Sequence, residues 1–158
     1  MVEDEIRLFA SHSQFYVQDG LLRPGAINDL TFWTKEASAR RLAIGDGILG
    51  IGTSSYAFVK VRAQHHQTAP PVDLSQWDHV AEADLVMKTE LILIMGCLSP
   101  SGMFFEVKPS LYRVRTCHAN LGQSEHEAPR DWTGEFGDWY LVQFWPSKPL
   151  QPQVLKQR

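Results

Sequence analysis

The densest hydrophobic pattern in the chain is Asp138-Trp139-Tyr140-Leu141-Val142-Gln143-Phe144-Trp145-Pro146. As a strand it sends Trp139, Leu141 and Trp145 to one face and Tyr140, Val142 and Phe144 to the other. Gln143 is the only polar residue between the ends, so both faces need cover and the segment reads as a central strand. Pro146 stops it, because proline brings no N–H to a sheet ladder. Elsewhere the alternation is one-sided. Over 56–63, Ala57, Val59 and Val61 oppose Lys60 and Arg62; over 111–117, Tyr112, Val114 and Thr116 alternate with Arg113 and Arg115. Residues 6–9 and 14–18 are short apolar runs around Ser11-His12-Ser13, one irregular strand or two short ones. Residues 48–52 form a buried-looking strand thinned by Gly50 and Gly52. Residues 84–98 are long for one strand and imply a bulge or bend near 88–90. The turn Ser99-Pro100-Ser101-Gly102 then returns the chain into 103–107 as a hairpin.

Helical signals gather once. Thr34 suits an N-cap, Glu36 the first turn, and Arg40 and Arg41 the last, where the dipole favours cations. Gly45 can take the left-handed position that closes the helix. The pattern disappears over 64–76 and 119–137, which read as polar loops, and 147–158, with Pro149 and Pro152, reads as a flexible tail. The expected fold is mainly β: an antiparallel β-sandwich or barrel of about 7–9 strands with one short helix near residues 34–44. A single β-rich domain is expected over 1–146, followed by the tail.

Composition narrows the function classes. A chain of 158 residues, 44% hydrophobic, can bury a core without disulfide or metal staples. Its net charge of −3 argues against a general nucleic-acid binder, though not against a local basic patch. The start, Met1-Val2-Glu3-Asp4-Glu5, lacks the basic flank of a secretory signal, and the most hydrophobic run, 85–98, is broken by Lys88, Thr89 and Glu90. A cytoplasmic chain without a transmembrane segment is the expectation. Cys97 and Cys117 match neither a CxxC motif nor a metal spacing; buried free thiols fit a reducing compartment, with a disulfide as the alternative.

Catalytic patterns are missing. Gly50-Ile51-Gly52-Thr53-Ser54-Ser55 lacks the Walker lysine and the GxGxxG order, and a strand follows it where a phosphate loop would open a helix. No GxSxG, HExxH or kinase set occurs. His65, His66, Asp73, Asp78 and His79 offer metal-ligand chemistry, but not at a spacing that puts two of them on one face, and they read as solvated loop residues. Cys117 and His118, adjacent on a strand, face opposite sides and cannot share a proton. The expectation is no enzyme, no cofactor and no metal.

Two charged sets remain. Glu125, Glu127, Asp131, Glu135 and Asp138 surround Trp132 and Phe136, with Arg130 the only fixed cation among them. An acidic loop with embedded aromatics suits recognition of a basic protein, the charges raising the encounter rate and the rings anchoring contact. A plainly soluble loop with Trp132 folded onto the core is the competing account. Lys60, Arg62, Arg113 and Arg115 form basic strand faces, either an anion-binding strip or ordinary solvent faces whose heads snorkel over apolar neighbours.

Ser11-His12-Ser13-Gln14-Phe15-Tyr16-Val17, Trp33-Thr34-Lys35-Glu36-Ala37 and Gly45-Asp46-Gly47-Ile48 together resemble the N-terminal half of the competence protein J family. Leu111-Tyr112-Arg113-Val114-Arg115 and Trp139-Tyr140-Leu141-Val142 sit where that family has its last strands. These are small bacterial proteins associated with inhibition of a DNA-entry nuclease. The resemblance implies a β-sandwich-like, non-catalytic module that masks a protein partner, in the manner of a nuclease inhibitor or immunity protein. The loops 64–76 and 119–137 look longer than the family pattern and lie where partner contacts would fall. The partner surface expected on these grounds is Glu125, Glu127, Asp131, Trp132 and Glu135 against a basic nuclease, with no direct nucleic-acid contact. The alternative is small-ligand or anion binding on Lys60, Arg62, Arg113 and Arg115.

Overall fold

In the computed structural model, residues 1–20, 29–98, 102–124 and 135–158 are described. The first half runs β1 (Val2–Phe9), β2 (Gln14–Asp19), α1 (Asp29–Phe32), α2 (Lys35–Arg40), β3 (Leu42–Gly45), β4 (Ile48–Gly52) and β5 (Phe58–His65). The second half runs β6 (His79–Val86), β7 (Leu91–Gly96), β8 (Gly102–Glu106), β9 (Leu111–Ala119), α3 (Leu121–Ser124), β10 (Glu135–Pro146) and β11 (Gln153–Lys156). Six strands form one sheet in the order β1-β5-β10-β9-β6-β11, and five form the other in the order β3-β4-β2-β7-β8. The mainly-β sandwich expected from the alternation is the observed architecture, and the sheets do not close into a barrel.

Two features depart from the expected plan. The strands number more than the expected seven to nine, and β5 and β10 run parallel, Tyr140 opposite Val61 and Val142 opposite Ala63. A parallel pair needs a long connection, and everything from β6 to β9 lies between these two strands. With β9 antiparallel on its other side, β10 is central, as its pattern requires.

Tyr140, Val142 and Phe144 meet Phe15, Val17, Leu49, Ile51, Ile92 and Ile94 between the sheets. Each such side chain contributes about 1.5–3 kcal/mol by leaving water. The opposite face of β10 is covered differently. Leu141 packs with Trp77, Val80 and Cys117, flanked by Val72, Leu74, Trp139 and Leu155. The cover on this face of β10 is therefore the segment before β6, with Leu155 of the edge strand β11 at the margin of the cluster.

The reading of 147–158 as a flexible tail is corrected by β11, which pairs antiparallel with β6. Leu150 N–H donates to Asp84 Oδ2 at 2.9 Å, and the carbonyls of Leu150 and Gln151 accept from Arg113 at 3.2 and 2.8 Å. A buried guanidinium needs those acceptors, which a sequence-local view of two prolines does not reveal. The helix is also shorter than expected. Thr34 Oγ1 caps it, accepting Ala37 N–H at 3.1 Å, but it stops at Arg40 with Arg41 in the left-handed region (φ 56°). Residues Leu42–Gly45 leave the helix for β3 because Leu42 and Ala43, both 0% exposed, pair with Ile51 and Gly50. The bend at 88–90 proves to be a crossing between sheets, held by the Asp19 carboxylate, which accepts Lys88 N–H at 2.8 Å and the Thr89 hydroxyl.

Candidate protein-binding face

Charge on the outer face of the six-stranded sheet is divided by burial. Arg113 and Arg115 on β9 are 0% and 6% exposed. Arg113 Nε and Arg115 Nε donate to the two oxygens of Glu82 at 3.1 and 2.8 Å, and Arg113 Nη1 reaches Asp84 Oδ1 at 2.9 Å. Arg115 Nη1 also donates to the Pro70 carbonyl at 2.8 Å, and its guanidinium lies 4.9 Å from the centre of the Trp145 ring. Buried charges persist only when paired and hydrogen-bonded, and here two cations meet two carboxylates. On β5, Lys60 is exposed, while Arg62 is held by Glu5 at 3.1 Å and Glu3 at 3.4 Å and sits 5.7 Å from the Trp139 ring. The expected Lys60/Arg62/Arg113/Arg115 strip is thus corrected: the four lie on one sheet, but half of the set is internal structure.

The open part of that face is β1, β5 and the start of β10. Of the expected partner residues, Glu125, Glu127, Asp131 and Trp132 lie outside the described residues. Glu135 is exposed at the head of β10 and pairs with Arg7 of β1, whose guanidinium covers the Phe58 ring at 3.9 Å. A hollow of about 560 Å³ lies here, lined by Glu5, Arg7, Phe58, Lys60, Glu135 and Trp139 among others. Glu3, on the same face of β1 as Glu5, extends its acidic rim. The pairs Arg7–Glu135 and Arg62–Glu5 are partly solvated, so each contributes no more than about 1 kcal/mol and exchanges readily for a partner's charge. The chemistry of this surface among the described residues is aromatic contact plus mixed charge.

Asp138, counted from sequence among the loop acids, turns inward instead. The β5–β10 register shifts between Glu135 and Trp139, with Gly137 at φ 88°, and a bulge of that kind re-aims the side chains beside it. Asp138, 3% exposed, accepts the Ser55 hydroxyl at 2.8 and 3.0 Å and the Tyr140 hydroxyl. The Tyr140 oxygen in turn accepts Ser54 N–H at 2.9 Å. Burial, and then the Asp138 charge, push the Tyr140 phenol well above its ordinary range.

The histidines sort by element. His65 stacks on Phe144 at 4.9 Å, and His66 lies 3.0 Å from Gln64 Oε1. His79, expected in a solvated loop, is a fully buried residue of β6 opposite His118 of β9, their rings 5.0 Å apart. Its Nε2–H donates to the Arg40 carbonyl at 2.6 Å. Burial pushes both imidazoles below their ordinary range, and His118 is lowered further by His79 and Arg41. The alternation 112, 114, 116 continued one step further would have placed His118 inside, but His79 lacked any local signal. Cys117, on the other side of β9 from His118, is pushed up to about 12 by burial, so it remains a thiol. Cys97 and Cys117 are both free. Among the described residues, no three His, Cys, Asp or Glu side chains converge as a metal site, and no helix is long and apolar enough to cross a membrane.

No protein-family profile matches the chain, and no curated protein matches it in sequence. Two solved structures share its architecture. One is ComJ from Bacillus subtilis, described as an inhibitor of the DNA degrading activity of NucA, with TM-score 0.61 and 17% identity over 93% of this chain and 96% of ComJ. The fold is that of ComJ. The other, crocagin biosynthetic gene J, aligns at TM-score 0.61 and 21% identity over 94% of this chain and 100% of its own. The sequence blocks that resemble the family fall on positions that build the ComJ fold. Thr34 caps α2, Gly47 (φ 72°) turns β3 into β4, and Phe32 and Trp33 lie on the bare backbone of Gly50, where a Cβ would meet their rings at 2.7 and 3.0 Å.

Proposed function

We propose that this chain acts by binding another protein, as a nuclease-inhibitor-like module without chemistry of its own. The observation that carries this is the ComJ fold across nearly the whole chain, since that neighbour is described as a nuclease inhibitor. In this proposal Glu125, Glu127, Asp131, Trp132 and Glu135 meet a basic surface on a DNA-degrading nuclease, and the acidic β1 rim beside Glu135 extends the contact. Masking the nuclease's DNA-binding surface would block its activity, and electrostatic attraction would speed the encounter. The setting proposed is the cytoplasm. In the alternative reading, anion binding would fall to Lys60 and Arg62, since Arg113 and Arg115 are committed to Glu82 and Asp84.

The test is affinity capture of the partner from the native cell with the full chain, followed by a DNA-degradation assay on the recovered protein. Capture of a nuclease whose activity falls stoichiometrically with added chain is the expected result. Reversing Glu125, Glu127 and Asp131 to lysine should then slow association at low salt by about tenfold or more. Unchanged association would remove the loop from the interface, and recovered partners with no nuclease activity would remove the inhibitor role.

A further inference from the structure

A second concavity lies between α2, the turn before β2 and the end of β4. It has a volume of about 480 Å³, and His12, Ser13, Trp33, Arg41, Thr53 and Arg158 are among the residues lining it. Among the described residues its lining has no Asp or Glu but includes His12 and Arg41, in a chain of net charge −3.

The backbone around it is unusual as well. Four non-glycine residues have positive φ among the described ones, and three of them, His12 (57°), Ser13 (54°) and Arg41 (56°), line this cleft. At Arg41 this conformation closes α2; at His12 and Ser13 it is unfavourable for residues with a Cβ and persists because surrounding structure imposes it, as at ligand clamps. The constraints are visible: Ser13 N–H donates to the Ala10 carbonyl at 3.0 Å and Thr53 N–H to the Ser13 carbonyl at 2.9 Å. Arg41 N–H donates to the Ser38 carbonyl at 3.2 Å, and Gly52 N–H to the Arg41 carbonyl at 3.0 Å.

The donors and the wall are pre-set. Arg41 Nη1 donates to Ser54 Oγ at 3.2 Å, its one side-chain hydrogen bond among the described residues, which orients the fork and leaves its other N–H groups to a ligand. The Trp33 indole N–H donates to Gln14 Oε1 at 2.7 Å, and its ring rests where Gly52 has no side chain, 3.4 Å from the position of an added Cβ. A fixed aromatic wall thus stands beside an oriented guanidinium.

We infer that this cleft binds a small oxyanion, carboxylate or phosphate, carried on a planar apolar group. Arg41 takes the charge in fork geometry and Trp33 the planar part. The site is distinct from the β1–β5 surface beside Glu135.

The test is a titration of the full ¹⁵N-labelled chain with benzoate and, separately, phenyl phosphate at constant ionic strength, following the Trp33 indole and Thr53 amide signals. Saturable shifts at those two positions are expected with at least one of the probes, and the tighter arm identifies the head group. Arg41→Asn keeps a residue that tolerates the left-handed conformation and should weaken binding about tenfold or more. Lys60→Gln, on β5, should leave it unchanged. If Arg41→Asn loses signal dispersion, Arg41→Lys takes its place and must also weaken binding. The inference is overturned by shifts still linear at about 10 mM of both probes, a range where even weak single-site binding curves. Equal affinity in the Arg41 variant, or shifts centred on Lys60 and Arg62, would overturn it too.

Discussion

Glu82 holds two guanidinium groups at once, with Arg113 at 3.1 Å on one oxygen and Arg115 at 2.8 Å on the other. Replacing it by Gln leaves two buried cations facing Asp84 alone, and breaking a buried pair costs about 3–5 kcal/mol. Urea denaturation of Glu82→Gln should show a loss in that range, and a loss comparable to a surface pair would mean the network is wetter than its burial indicates. The histidine pair gives a second residue-scale expectation. His79 and His118 are pushed below the ordinary histidine value by burial, with Arg41, Tyr140 and each other as neighbours. The unfolded chain therefore binds more protons than the folded one as pH drops through about 6.5. Stability is full above that value and falls as pH falls below it. In denaturation curves between pH 7.5 and 5, His118→Phe should flatten this acid limb, and a variant as pH-sensitive as the wild type would assign the limb elsewhere.

Among the elements, β11 connects strand pairing to charge burial. It closes one edge of the six-stranded sheet, and the segment leading into it supplies the carbonyls that complete Arg113. Removing residues 150–158 should cost about 3 kcal/mol or more, because it uncovers an edge and strips a buried cation of two acceptors. Thermal unfolding checks this, and a truncated chain as stable as the whole would show that β11 contributes little. In the five-stranded sheet, β4 depends on a bare backbone. Gly50→Ala would place a methyl 2.7 Å from the Phe32 ring, an overpacking worth about 1–3 kcal/mol. Local pattern announced both glycines as features of a thin strand. It could not say what lay against them, since the rings come from the end of α1 and the residue after it.

For the whole molecule, the sandwich leaves acids along β1 and a cationic cleft at α2, opposite signs at separate sites on a chain of net charge −3. If charge steers a basic partner to the β1–Glu135 face, raising salt from about 0.01 M to 0.15 M shortens the screening length from about 30 to 8 Å. Stopped-flow measurement should show the on-rate falling with little change in the off-rate, and a salt-indifferent on-rate would take steering out of the account. How much of this was legible beforehand follows from what local chemistry specifies. The period-two alternation of 138–146, the Thr34 cap and the apolar rhythm of β5 and β9 determined by themselves that the chain is mainly β, a sandwich or a barrel, with 138–146 as a central strand, because side-chain direction in a strand depends only on position along it. Tertiary structure decided which faces are covered. It took Leu42–Gly45 into β3, ran β10 parallel to β5, turned Asp138 inward and buried Arg113 under a carboxylate 31 residues away. Periodicity says which residues share a face. Whether that face meets water depends on segments distant in sequence, whose approach no local pattern records.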